Sequence, residues 1–156
     1  LSPADVDKAL NKQSGILGVT GKWADRRDVE QAVEKGDKIA ILAQNMESYR
    51  IKKYIGAYAA ALGRVDALVF TAGVGEMGPA IRRLAASGLE NLGIVMDYAR
   101  NAEDGGSEGV VSAPWSPVTI LVVPTNEELQ IAMDTYELLF PEEAAEAKRR
   151  AGCEEK

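Results

Sequence analysis

Residues 73 to 78 read Gly-Val-Gly-Glu-Met-Gly. They follow the apolar run Val65 to Thr71 and precede a helical pattern carried by Ile81, Leu84 and Ala85. A buried strand that turns through glycines onto a helix is a common way to hold a phosphate. Without a Cβ the backbone can come close, and the unpaired N–H groups of a first helical turn point at the anion. The same residues also serve as a plain strand-to-helix turn in any α/β domain, so the rest of the chain has to decide between the two. Further along, the run Thr119 to Val123 ends at Pro124 and leads into Thr125-Asn126-Glu127-Glu128. Thr125 and Glu128 have the T-x-x-E spacing of a capping box. That leaves Glu127 without a structural task, on a helix N-terminus beyond the end of a core strand. In open α/β sheets, ligands sit beyond the carboxyl ends of the strands, so the two strand ends are expected to face one cleft. A carboxylate there suits Mg²⁺ carried by nucleotide phosphates, held through water.

The glycine stretch has a second reading. Gly73-x-Gly75-x-x-Gly78 fits the dinucleotide fingerprint, and Asp97 ends an apolar run 19 residues beyond Gly78, where such folds place a ribose-binding acid. Against it, Glu76 would stand inside the phosphate loop and repel a pyrophosphate. An NAD-binding oxidoreductase fragment therefore stays open as the alternative, alongside a non-catalytic dimerisation module.

Composition removes several other classes. The chain has 156 residues, 46% hydrophobic and 27% charged, as in an ordinary globular domain of about this size. A net charge of −6 without a Lys/Arg cluster, and nine scattered aromatics, argue against nucleic acid as a partner. There is no histidine, which excludes Ser-His triads and His-based zinc sites, and the single Cys153 cannot form an internal disulfide. No apolar run is long enough for a membrane helix, so a reducing cytoplasm is the expected location. The chain opens LSPADV, without methionine, and is expected to be a piece of something longer.

The elements that must position these residues follow in order. Ser2-Pro3-Ala4-Asp5 predicts a capped helix with Val6, Ala9 and Leu10 as its stripe, ending near Lys12. Gly15, Gly18 and Gly21 predict an ordered loop anchored by Ile16, Leu17 and Val19. A helix is expected over 28–35, capped by Asp25 or Asp28. The longest helix is expected from Asp37 to Leu62. Its two offset stripes, Ile39/Leu42/Met46/Tyr49 and Ile51/Ile55/Tyr58/Leu62, imply different neighbours for its two halves, and Gly63 ends it. After the strand at 65–71 and its helix, 90–97 is read as a short strand. Residues 101–116 are read as a surface loop with a weak strand at 109–112, followed by the strand at 118–123. A helix with Leu129, Ala132, Met133, Tyr136 and Leu139 as its stripe comes next. The charged tail after Pro141 is read as a frayed helix or disorder. Two firm strands and five helices make a helix-rich α/β layer with a small, incomplete sheet.

Four segments together resemble the acetate kinase family, within the sugar kinase, actin and heat-shock ATPase superfamily. They are LNKQSGILGVTG with ADRRD, YRIKKYIGAYAAALGRVDALVFT, FTAGVGE, and PTNEELQIAMDT. The resemblance runs from Leu1 to Leu139 and covers only the last part of such a kinase. It implies a partial ribonuclease-H-like, actin-type ATPase domain over 1–140, with 141–156 as a charged tail. It implies Mg²⁺-dependent phosphoryl transfer, ATP and acetate to ADP and acetyl phosphate. The family's D-x-R motif falls on Asp25, Arg26 and Arg27 and implies contact with the adenosine of ATP. Its nucleotide loop falls on Gly73, Val74, Gly75, Glu76 and Met77, where Met77 replaces the usual asparagine. Its P-T-N-E-E-L falls so that Glu127 is the implied Mg²⁺ residue. The family's catalytic histidine and arginines and its H-x-G-N-G loop lie upstream of Leu1. None of the catalytic residues is therefore expected here, and the chain alone is expected to be inactive. Pairing as a homodimer through this half is also implied.

Overall fold

In the computed structural model, which describes residues 1–102 and 109–150, the chain divides into two compact units, Leu1–Val123 and Pro124–Lys156. Each is described separately.

The first unit opens with α1 (Pro3–Lys12), closed by a full capping box. Ser2 Oγ accepts from Asp5 N–H at 3.2 Å, and the Asp5 carboxylate accepts from Ser2 N–H at 2.8 Å. Its expected stripe is exposed: none of its residues is buried. The stretch read as a loop is instead a short helix, α2 (Gly15–Thr20), bracketed by Gly15 and Gly21 at positive φ. Its glycine content argues against helix in isolation. Packing against α4 (Lys38–Leu62) overrides that propensity. Asp25 caps α3 (Arg26–Glu34), whose Val29 and Ala32 form a small core with Ala40. Ile16, Trp23 and Val33 pack against that core.

Asp37 caps α4 by accepting from Ile39 and Ala40 N–H, and Gly63 closes it at φ +72°. Its two halves do meet different neighbours. Ala40 belongs to the small core, whereas Ile51 and Ile55 pack on the main one. In the first half the buried face differs from the predicted one, because Ala40, Ala43, Gln44 and Ser48 point inward, whereas Ile51 and Ile55 of the predicted second stripe do face the core. Small residues let α4 approach its neighbours closely, and the bulky Ile39, Leu42, Met46 and Tyr49 are left exposed.

The main core is built on β1 (Ala67–Phe70), β2 (Gly109–Val110) and β3 (Thr119–Val122), in the order β1-β3-β2. β1 and β3 are parallel, with Phe70 opposite Val122; β2 is antiparallel to β3. Around the sheet run α5 (Ala72–Met77), α6 (Pro79–Ala86) and α7 (Tyr98–Ala102). Phe70, Ile94, Met96, Val118, Ile120 and Val122 are buried with Ala85 and Ala86 of α6. The strand expected at 90–97 is a 3₁₀ turn at Glu90–Leu92 followed by a single antiparallel bridge, Met96 to Ser112. Residues 103–108 of the expected loop lie outside the described residues. Asn101, read as the start of that loop, is a buried residue of α7.

The second unit is α8 (Glu127–Leu139) followed by α9 (Pro141–Arg150). Tyr136 of α8 packs on the ring of Phe140 at the junction, centroids 5.2 Å apart, and ties the two helices by donating its hydroxyl to Glu143 of α9 at 2.8 Å. That bond raises the phenol's pKa by stabilising the protonated form. Pro141 stands as the first residue of α9, where its missing N–H is harmless, so the tail begins as a helix through Arg150. Among the described residues no helix is long and apolar enough to cross a membrane.

Candidate nucleotide site

The parallel pairing of β1 with β3 brings both carboxyl ends to one edge of the sheet. Thr71 Oγ1 donates to Val123 O at 2.9 Å and locks the two exits together. From this edge the chain leaves β1 abruptly. Ala72 takes φ +58°, the left-handed region that a Cβ disfavours, and α5 starts there. The predicted glycine turn is therefore a six-residue helix, with Thr71 as its N-cap residue making no side-chain hydrogen bond to the helix end.

The three glycines of this segment differ in what the fold asks of them. A Cβ on Gly75 would lie 3.0 Å from the Phe70 carbonyl carbon, so Gly75 allows α5 to fold back on the strand that feeds it. A Cβ on Gly78 would lie 2.4 Å from Val74 O, so Gly78 lets α6 follow α5 without a linker. Gly73 has nothing within 4 Å and an ordinary negative φ, and it is exposed. No neighbour in the chain requires a glycine there. Val74 and Met77 are exposed beside it, and Glu76 is half-buried.

Sequence reasoning missed the side chain that holds this segment. Arg82 of α6 is 0% exposed, and its guanidinium donates to the carbonyls of Gly75 (2.6 Å) and Glu76 (2.7 Å). Its other nitrogens donate to Asn101 Oδ1 (2.8 Å) and Asn101 O (3.1 Å). Desolvation lowers the pKa of this guanidinium, though not enough to cost it its charge. Helical spacing carried the signal: Arg82 shares the stripe of Gly78, Ala85 and Ala86, all buried, whereas its neighbour Arg83 is exposed.

The Asp25-Arg26-Arg27 segment sits at the start of α3. Asp25 is the cap, accepting from Arg27 N–H at 2.9 Å, and it also receives Arg27's guanidinium at 2.6 and 3.1 Å. The guanidinium and then the backbone N–H hold its carboxyl down to about 2. Both side chains are largely exposed. Arg26 turns the other way, 15% exposed, to Glu30 at 3.2 Å and to Glu47 of α4. It ties α3 to α4, while α4 packs in turn on α6. The two predicted nucleotide segments thus hang on one long helix.

Glu127 is the first residue of α8, five residues after Val122 in the chain. The expected capping box is not formed. Asn126 is the cap, its side chain accepting from Leu129 N–H at 3.0 Å, so the helix starts one residue later than the box requires. Capping therefore no longer separates Glu127 from Glu128, and the choice between them rests on the motif. Asp97 caps α7 through Ala99 and Arg100 N–H and follows no parallel strand, so the dinucleotide geometry is absent.

Comparison with known proteins bears on the same residues. The sequence profile of the acetokinase family matches residues 1–133. Acetate kinase of Treponema pallidum (strain Nichols) is 55% identical over 142 residues, covering 89% of this chain and 32% of that protein. The crystal structure of Porphyromonas gingivalis acetate kinase superposes with a TM-score of 0.81 at 49% identity, covering 89% of this chain and 35% of that one. A propionate kinase from Francisella tularensis subsp. tularensis SCHU S4 gives 0.75 at 41% identity, covering 85% and 33%. The chain thus spans about a third of the length of the relatives it matches. With the motifs, the helix-rich fold around a small mixed sheet and these matches in agreement, the chain belongs to the acetokinase family.

Proposed function

We propose that this chain is the C-terminal nucleotide-binding part of a kinase that interconverts ATP and acetate with ADP and acetyl phosphate. Relatives named acetate kinase support the reaction class, and the propionate kinase neighbour keeps the choice of short-chain acid open. The observation that carries the nucleotide reading is Gly73: of the three glycines beside the β1 exit, it alone has no contact in the fold that excludes a side chain. A backbone left bare at a sheet edge suits the approach of a flat, rigid ligand, and here that ligand is the adenosine end of ATP, with Asp25 and Arg27 contributing from α3. Phosphoryl transfer needs charge stabilisation around the transferring group. The residues for that belong to the part of the relatives this chain does not span, so the chain alone turns over no acetate.

Among the described residues no three His, Cys, Asp or Glu side chains gather as a metal cage. A single carboxylate, Glu127, fits Mg²⁺, which keeps most of its waters and arrives with nucleotide phosphates. When bound, the ion would neutralise phosphate charge; Glu127 would hold it through water.

Gly73→Ala tests the reading. The Cβ meets open space, so stability should rise by about 0.5–1 kcal/mol from helix propensity. Mg-ATP affinity, followed by amide shifts of residues 73–77, should fall about tenfold or more. Unchanged affinity would place the nucleotide elsewhere.

We also propose that the chain pairs with a second copy. The exposed Met46 and Tyr49 of α4 line a mainly apolar cleft of about 360 Å³ with Ile16 and Val19 of α2, rimmed by Glu47, Arg50 and Lys53, and Ile39 and Leu42 of the same helix are exposed as well. An apolar face of this kind marks an interaction surface. Met46→Glu should convert a dimer to a monomer in sedimentation velocity; a wild-type chain that is monomeric at high concentration would sink the proposal.

A further inference from the structure

Segment 72–77 is not self-supporting. Six residues with two glycines, no N-terminal side-chain cap and one alanine at positive φ make a helix that would not persist alone. Its last carbonyls have no partner within the helix, and a cation is favoured at that end. Arg82 meets both needs at once. One guanidinium nitrogen takes the Gly75 and Glu76 carbonyls, and the other two are occupied by Asn101. Asn101 is itself fixed: it is 2% exposed, donates its side-chain amide to Pro79 O at 2.9 Å, and donates its backbone N–H to Asp97 O at 2.9 Å. Asp97 caps the helix that carries it. The chain of contacts therefore runs from the α7 cap through Asn101 and Arg82 to the C-terminal end of α5. The back of α5 is set by Gly75 against Phe70. With the end and the back fixed, the exposed side of α5 is the one carrying Gly73, Val74 and Met77.

We propose that Arg82, seated by Asn101, is a positioning residue that fixes the 73–77 backbone and through it sets the affinity for a purine nucleotide. The nucleotide clause rests on the function proposed above; the positioning clause stands on the contacts alone. Arginine is required rather than a general cation. All four of these acceptors are uncharged oxygens in fixed directions, which a planar fork can reach together and a single ammonium cannot.

The test uses the ¹⁵N-labelled chain as wild type, Arg82→Lys, Asn101→Ala and, as a control on the exposed neighbour, Arg83→Lys. Amide hydrogen exchange is read at residues 74–78 and, as an internal reference, in the β1–β3 ladder; Mg-ATP is then titrated by amide shifts. Arg82→Lys should speed exchange of the 74–78 amides about tenfold or more and weaken Mg-ATP by a similar factor, with the ladder still protected. Asn101→Ala should act in the same direction to a lesser extent, and Arg83→Lys should match wild type. Should Arg82→Lys fail to fold, Asn101→Ala decides. Exchange at 74–78 equal to wild type in the folded variants overturns the positioning role. Wild-type chain that shows no Mg-ATP shifts at 73–77 overturns the nucleotide clause, while exchange still decides the positioning.

Discussion

Gly78→Ala is expected to destabilise the first unit by about 2–3 kcal/mol, seen as a lower urea midpoint at unchanged m. The added Cβ would sit 2.4 Å from Val74 O, a main-chain atom of α5 that cannot swing aside as a side chain would. Gly78 cannot retreat cheaply either, because its own carbonyl accepts the first hydrogen bond of α6, from Arg82 N–H at 3.0 Å. Relief must come from opening the last turn of α5 or the first of α6, and both lead to Arg82. The contrast with Gly73→Ala, expected to be stabilising, is the point of the experiment. Two glycines in one motif should respond with opposite sign, because an added Cβ meets open space at Gly73 and a main-chain oxygen at Gly78. Parental stability in Gly78→Ala would show that the junction has room and that the close contact does not govern the turn.

That contrast also shows what the sequence could and could not reveal. Strands β1 and β3 were legible because each is a short apolar run with abrupt polar or proline borders. Helix α4 was legible from Asp37, Gly63 and its length. The buried face of its first half was not, because the larger apolar residues there point outward and alanine, glutamine and serine point in. A pattern scored on hydrophobicity follows bulk, whereas close helix packing selects small side chains. Helix α2 was hidden by its glycines, which only the contact with α4 outweighs. The capping box on Thr125 and Glu128 failed by one residue, because Asn126 offers an equally good oxygen to Leu129 N–H. Arg82 does not stand out beside Arg83 in the sequence. Its partners are main-chain carbonyls seven and six residues back and an asparagine 19 residues on, and carbonyls leave no trace in a sequence. The motifs that nominate the candidate residues could therefore be read from the sequence, whereas the framework that shapes segment 73–77 could not.

In an intact kinase carrying this segment, Glu127→Gln is expected to lower turnover by about 10²–10³-fold. The substitution keeps the shape of the side chain and its place as first residue of α8, and removes only the charge. Because Mg²⁺ here has no protein cage among the described residues and would come with the nucleotide, the missing charge should show as a raised Mg²⁺ requirement. Excess Mg²⁺ should restore part of the activity. The necessary comparison is Glu128→Gln, since both acids lie in the first turn and each favours the helix through its dipole by less than about 1 kcal/mol. With Asn126 as the cap, neither carboxylate is the capping group, so a loss caused by helix fraying should appear equally in both variants. A loss confined to Glu127→Gln, with the Mg²⁺ dependence displaced, would assign that carboxylate to the metal. Equal losses, or full activity in Glu127→Gln, would remove Glu127 from the site and leave the PTNEEL segment a helix start only.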